Sequence, residues 1–200
     1  DAVSMLKKSH GDKYAVIAGN TGPFTLAGHL VSTENLIFGM MMAPEEVDKW
    51  VLAVTPIVKT YTQALLDAGA DVVQCSEPSA STDMLAPDMF EEAAGASIKN
   101  SLAKVSGMTS LHICGDTYPI LDQMAELGVT ALSVEEKVDP FKAIEKVAGK
   151  VAMVGNVGSV RPLYQGTPAE VKEAAIRSAQ AGFNVISAGC GVAPASADEN

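Results

Sequence analysis

A chain of 200 residues, 48% hydrophobic and 19% charged, has enough apolar residues to build one sizeable core and too many to be disordered. Its formal net charge of −10, with no clustering of Lys and Arg, excludes a nucleic-acid groove, which needs a basic stripe. No apolar run approaches the roughly 18 residues of a membrane span, and 3 cysteines are an odd number that makes no disulfide framework.

Strand and helix signals then alternate along the chain. Tyr14 to Gly19 reads as a short apolar strand stopping at Asn20. Phe24 to Met42 is a long apolar stretch predicted as helix, broken at Gly28 and Gly39. Pro44-Glu45-Glu46 opens a strong helix to Ala68, because proline suits the first turn and acids there suit the helix dipole. Gly69 ends it, and Ala70 to Cys75 is the second strand, with Glu77 just past its end. A helix is predicted from Pro87 to about Val105, and Met108 to Cys114 is the third strand. A helix from about Thr117 to Leu127 precedes the fourth strand, Thr130 to Val134, which stops at Glu135 and Glu136. Pro140 to Ala148 is a short helix, and Val151 to Gly155 is the fifth strand, ending on Asn156. Thr167-Pro168-Ala169-Glu170 gives a capped start to a helix reaching Gln180. The sixth strand, from Asn184, runs into Cys190.

Six apolar strands, each with a helix beside it in the chain, imply an α/β fold with a parallel sheet covered on both faces. Two closures satisfy this pattern, an open doubly wound sheet and a (β/α)8 TIM barrel. Barrel enzymes carry their chemistry at the C-terminal strand ends. Those ends here hold Asn20, Glu77, His112 with Cys114, Glu135 with Glu136, Asn156 and Cys190, which reads as one mouth. Loops are polar anyway, and that alone accounts for Asn20 and Asn156. It does not account for His112 and Cys114, which lie within or at the edge of a strand. A full barrel needs about 250 residues and eight units. Residues 1–200 are therefore expected to form a single partial barrel of about six units, with N-terminal units and the C-terminal end outside it.

His112 and Cys114 are two residues apart, so a strand points both to one face. Cys190 ends another strand at an equivalent place. One imidazole and two thiols make a three-ligand soft-metal site with one position open, the pattern of catalytic zinc. The plainer alternatives are a buried His and Cys pair, and, for the glycine-flanked Cys190, a tight turn or a phosphate loop. Of Glu135 and Glu136, one is expected in solvent and the other within reach of the metal or its substrate. Cys75 is expected in the core. His10, in a charged surface stretch, and His29, in an apolar helix, are read as structural. Met40, Met41 and Met42 are read as gap-filling core or a flexible cavity wall.

Six segments taken together carry a resemblance: Gly22 to Gly28, Gly69 to Val73, Leu85 to Phe90, His112 to Gly115, Gly155 to Val157, and Gly166 to Pro168. In this order they resemble the uroporphyrinogen decarboxylase superfamily over nearly the whole chain. Within it, the His-x-Cys pair and the later Cys resemble the methylcobamide:coenzyme M methyltransferases of methanogens. Those are zinc (β/α)8 barrels that pass a methyl group from a methylated corrinoid protein to the thiol of coenzyme M, whereas the decarboxylases use no metal.

The resemblance implies a zinc methyltransferase with methylcobalamin or a corrinoid protein as donor and coenzyme M or a similar thiol as acceptor, and thiols kept for a metal fit a reducing cytoplasm. His112, Cys114 and Cys190 would be the zinc ligands. Glu135 would be catalytic, holding the fourth position until the thiol arrives or taking its proton. Glu77, Asn20 and Asn156 are expected to contact substrate, and Arg161 is the candidate partner of an acceptor sulfonate. No nucleic-acid or membrane partner is expected, while exposed sheet edges in a partial barrel favour a homo-oligomer. The competing expectations are a metal-free decarboxylase-like lyase and a non-catalytic tetrapyrrole- or corrinoid-binding module.

Overall fold

The computed structural model describes residues 1–196. Its six strands are β1 (Ile17–Thr21), β2 (Val72–Ser76), β3 (Met108–His112), β4 (Ala131–Ser133), β5 (Ala152–Val157) and β6 (Val185–Ala188). They form one sheet in the order β1 to β6, and every neighbouring pair is parallel. A doubly wound sheet reverses direction at a switch point. A strictly sequential order does not, so the sheet is part of a (β/α)8 barrel. Both expected features, the parallel sheet and the partial barrel of six strands, are present.

Eight α-helices accompany the strands among the described residues: α1 (Ala2–His10), α2 (Pro23–Val31), α3 (Thr33–Met42), α4 (Pro44–Asp67), α5 (Ala96–Leu102), α6 (Leu121–Ala125), α7 (Pro140–Val147) and α8 (Pro168–Ala181). None is long and apolar enough to cross a membrane. Helix α4 keeps its expected start at Pro44, and Gly69 at φ +105 supplies the left-handed turn into β2. The cap of α8 also forms as expected: the Thr167 side chain accepts from Glu170 N while the Glu170 side chain accepts from Thr167 N.

Some boundaries differ. Helix α1 lies where only a charged surface stretch is expected. The stretch Phe24 to Met42 breaks at Ser32, which stands at φ 70, and not at Gly28 or Gly39. Those glycines sit inside helices because neighbours approach closely: a Cβ on Gly39 would lie 2.7 Å from Val47 Cγ2, and one on Gly28 3.1 Å from Thr33 Oγ1. Tyr14 lies outside β1 and is exposed. The helix expected from Pro87 is a 3-10 turn (Pro87–Met89) and a π segment (Glu91–Gly95) before α5. Met40 is buried, as gap-filling core requires, but Met41 and Met42 are exposed.

The faces of the sheet differ in chemistry. Cys75, Leu111, Leu132 and Met153 lie in register across β2 to β5, are fully buried, and pack in the main core against the helix layer. One residue further along, Thr21, Ser76, His112 and Ser133 form the next cross-strand row. Successive residues alternate faces, so this row, with Gln74 and Ser110 two residues earlier, points into the barrel. Barrel interiors are usually filled by bulky branched side chains. Here several are polar, Gln74, Ser76, Ser110, His112 and Ser133 among them.

Candidate metal centre

Strand β3 ends at His112, and Cys114 lies just beyond it in the turn to the next helical segment. The backbone there is set by Gly115, at φ +85, where any Cβ would meet Asp83 Oδ2 at 2.8 Å and Ser81 Oγ at 2.9 Å. Ser81, buried in the loop after β2, donates its hydroxyl to Cys114 O at 2.8 Å. At the end of β6, Gly189 N–H donates to Val157 O at 2.7 Å, and Cys190 N–H donates to Ser159 Oγ at 3.2 Å. Each cysteine is thus held through its backbone, without use of its thiol.

The side chains then meet. Cys114 Sγ lies 3.5 Å from His112 Nε2 and 3.9 Å from Cys190 Sγ. With a Glu135 carboxylate oxygen, the four ligand atoms all lie within 4.8 Å of one another. For Zn–S bonds of about 2.3 Å and Zn–N bonds of about 2.0 Å, tetrahedral donors stand about 3.5 to 3.8 Å apart. The Cys114–His112 and Cys114–Cys190 separations fit that shell. The face of the imidazole also fits. Nδ1 lies 3.2 Å from both the backbone oxygen and the hydroxyl of Ser133, so the Nδ1–H tautomer leaves the Nε2 lone pair toward the sulfurs.

Electrostatics points the same way. Burial holds His112 below the usual imidazole range, against opposing pulls from Ser133 and Glu135, so the ring is a neutral donor near pH 7. The Cys114 thiol is pushed up to about 12, first by burial and then by Cys190 and Glu135. Two sulfurs and a carboxylate in this space repel as anions, and a cation bound among them relieves the repulsion. His112, Cys114 and Cys190 open on a cavity of about 440 Å³ whose lining includes Gln74, Ser76, Ser133 and Ser187 and no Lys or Arg.

The other expected contacts lie elsewhere. Asn20 is in register with Cys75, on the helix-facing side, and its amide donates to Thr62 Oγ1 at 2.6 Å. Glu77 is fully buried and accepts from Phe24 N at 3.1 Å and Thr25 N at 2.5 Å, capping α2. Asn156 is buried against the turn after β4. Arg161 is 68% exposed and pairs with Glu170 at 2.5 Å, away from the cavity. None of the four lines the cavity. Cys75 is in the core as expected, and burial pushes its thiol far up. His10 and His29 are exposed. The expectation passed over Ser133, although it precedes Glu135 by two residues and strand alternation alone puts both on one side. Ser81 and Ser159 sit in loops and carry no comparable signal.

Residues 1–200 match the family uroporphyrinogen decarboxylase (URO-D) over their whole length. The chain is 32% identical over 201 aligned residues to the methylcobamide:CoM methyltransferase MtaA of Methanosarcina barkeri, covering 100% of this chain and 59% of that protein. It is 30% identical over 196 residues to the methylcobamide:CoM methyltransferase MtbA of Methanosarcina acetivorans, covering 96% and 57%. Among solved structures, a methyltransferase from Methanosarcina mazei superposes with a TM-score of 0.95 at 32% identity, covering 99% of this chain and 59% of that one. The chain therefore spans under two thirds of the length of these relatives.

Proposed function

The chain belongs to the uroporphyrinogen decarboxylase family, and we propose that it carries the zinc centre of a methyltransferase acting between a methylated corrinoid and a small thiol. The donor is a methylated corrinoid protein, the acceptor is coenzyme M, and the setting is methanogenesis in a reducing cytoplasm. The observation that carries this reading is the convergence of His112, Cys114, Glu135 and Cys190 within 4.8 Å. A metal-free decarboxylase has no use for such a donor set. The Methanosarcina relatives are methylcobamide:CoM methyltransferases, which supports a corrinoid donor and a thiol acceptor.

His112, Cys114 and Cys190 would hold the zinc, with Glu135 as the fourth donor. A zinc ion held by these residues would supply the lowered thiol pKa that makes an acceptor sulfur nucleophilic near neutral pH. The chain's own residues prepare this. Ser133 fixes the tautomer and orientation of His112. Thiolates at Cys114 and Cys190 balance the two charges of a divalent ion, so the acceptor sulfur keeps its electron density. Glu135, whose carboxylate lies beside Cys114, would be the group placed to take the acceptor's proton. Gln74, Ser76 and Ser187 offer neutral hydrogen-bonding groups to the rest of the acceptor.

Zinc analysis of the purified protein tests the reading, followed by a methylcobalamin-dependent thiol methylation assay. About one zinc per chain is expected, lost in Cys114→Ser, with zinc and activity lost together in Cys190→Ser. A zinc-free Cys190→Ser protein that still methylates the thiol would overturn it.

A further inference from the structure

Asn156 has every polar atom of its amide engaged inside the protein. Its Nδ2 donates to Val138 O at 2.7 Å and to Glu135 O at 3.1 Å. Its Oδ1 accepts from Ser178 Oγ of α8 at 2.9 Å. Both carbonyls belong to a tight turn after β4, in which Val138 N–H also donates to Glu135 O at 3.1 Å. Gly155 brings β5 close enough for this reach: it stands at φ +126, and a Cβ there would lie 2.6 Å from Val134 O. The backbone of Glu135 is therefore gripped by β5 and, through Ser178, by α8. That turn does not hold its carboxylate, which lies among His112, Cys114 and Cys190 and is hydrogen-bonded to the Cys114 thiol, a partner within the site itself.

A fixed backbone under a carboxylate held only by the site's own side chains suits a donor that must reach one point and then withdraw. A ligand held from behind arrives at the same place each time without paying to order its chain. We propose that Asn156 is the positioning residue for Glu135, acting with Ser178 to set the reach of the carboxylate while leaving it free to exchange. This rests on the metal reading of the site. It assigns Asn156 a role in metal affinity through Glu135 instead of contact with substrate.

The test uses Co²⁺ titration of the metal-stripped, full-length protein, followed by the visible absorbance of the cobalt–thiolate centre. Asn156→Ala is expected to weaken Co²⁺ binding about ten- to hundredfold, the usual effect of losing an outer partner of a ligand. Asn156→Asp should do no better, because it loses both N–H donors and faces two carbonyl oxygens. Ser178→Ala, a milder change, should weaken binding in the same direction by a smaller factor, and it decides the matter if Asn156→Ala does not fold. The discriminating measurement is the pair with Glu135→Gln. If Asn156 acts through Glu135, adding Asn156→Ala to Glu135→Gln produces no further loss. An equal loss in both backgrounds, or wild-type affinity in folded Asn156→Ala or Ser178→Ala, overturns the assignment while leaving the metal site standing. A wild-type protein that binds neither Co²⁺ nor Zn²⁺ overturns the metal reading itself and this inference with it.

Discussion

Glu77 separates a structural role from a substrate contact by its pH dependence. Its carboxyl is fully buried, and its two oxygens accept from Phe24 N and Thr25 N, donors that the first turn of α2 leaves without a partner of its own. Burial, the largest influence, pushes it from an ordinary value of 4.5 up to about 7, although the Thr25 and Phe24 donors pull the other way. The folded-state value lies above the unfolded one, so folding favours the protonated form. Its contribution is fully present below about pH 4.5, is lost as pH rises toward about 7, and is level beyond that. At about 1.4 kcal/mol per tenfold change in proton affinity, the interval from 4.5 to about 7 corresponds to about 3 kcal/mol. Glu77→Gln keeps one acceptor oxygen and cannot ionise. The stability of the wild type relative to Glu77→Gln should therefore fall by about 3 kcal/mol between about pH 4.5 and about pH 8. Urea unfolding followed by circular dichroism at a series of pH values measures this, and carboxylates common to both proteins cancel. A pH-independent difference would refute the reasoning. A raised KM for the acceptor at unchanged stability would return Glu77 to the substrate site.

Two further outcomes follow from the geometry. Arg161→Ala removes an exposed ion pair worth about 0 to 1 kcal/mol, so stability and the acceptor KM should both stay near wild type; a tenfold rise in KM would place Arg161 at the acceptor after all. Gly189→Ala puts a Cβ 3.0 Å from Glu135 Cα and 3.2 Å from Glu136 N, backbone atoms that yield poorly. The strand end carrying Cys190 must move, and metal affinity, read by Co²⁺ titration, should fall about tenfold; undiminished affinity would show that the two loops move independently.

The parts of the site legible in the sequence were those that need only local geometry. Alternation along a strand puts His112 and Cys114 on one side before any neighbour is known. Their separation, 3.5 Å between Cys114 Sγ and His112 Nε2, agrees with that reading even though β3 ends at His112. Position at a strand end is weaker information. It says which mouth a residue is near but not which way its side chain points. Asn20 pairs in register with Cys75 and so faces α4, whereas Thr21, one residue on, faces the barrel. Glu77 and Asn156 lie at the expected ends, yet their polar atoms are taken up by α2 and by the turn after β4. Glycine was ambiguous for a related reason. Gly69 ends a helix by adopting positive φ, while Gly39 sits inside one because Val47 packs against it, and the letter is the same in both cases.

The sequence by itself determined the alternation of strands and helices, the capped starts of α4 and α8, the parallel sheet, and the presence of one imidazole and two thiols at strand ends. These follow from periodicity and local backbone preference, which act over a few residues. Only the tertiary structure decided that Cys190 closes on Cys114 across 76 positions of chain, that Glu135 joins them, and that Ser133 orients His112. Those relations depend on strand register and on how far each loop is allowed to lean. Register is fixed by packing across the sheet, between residues distant in sequence.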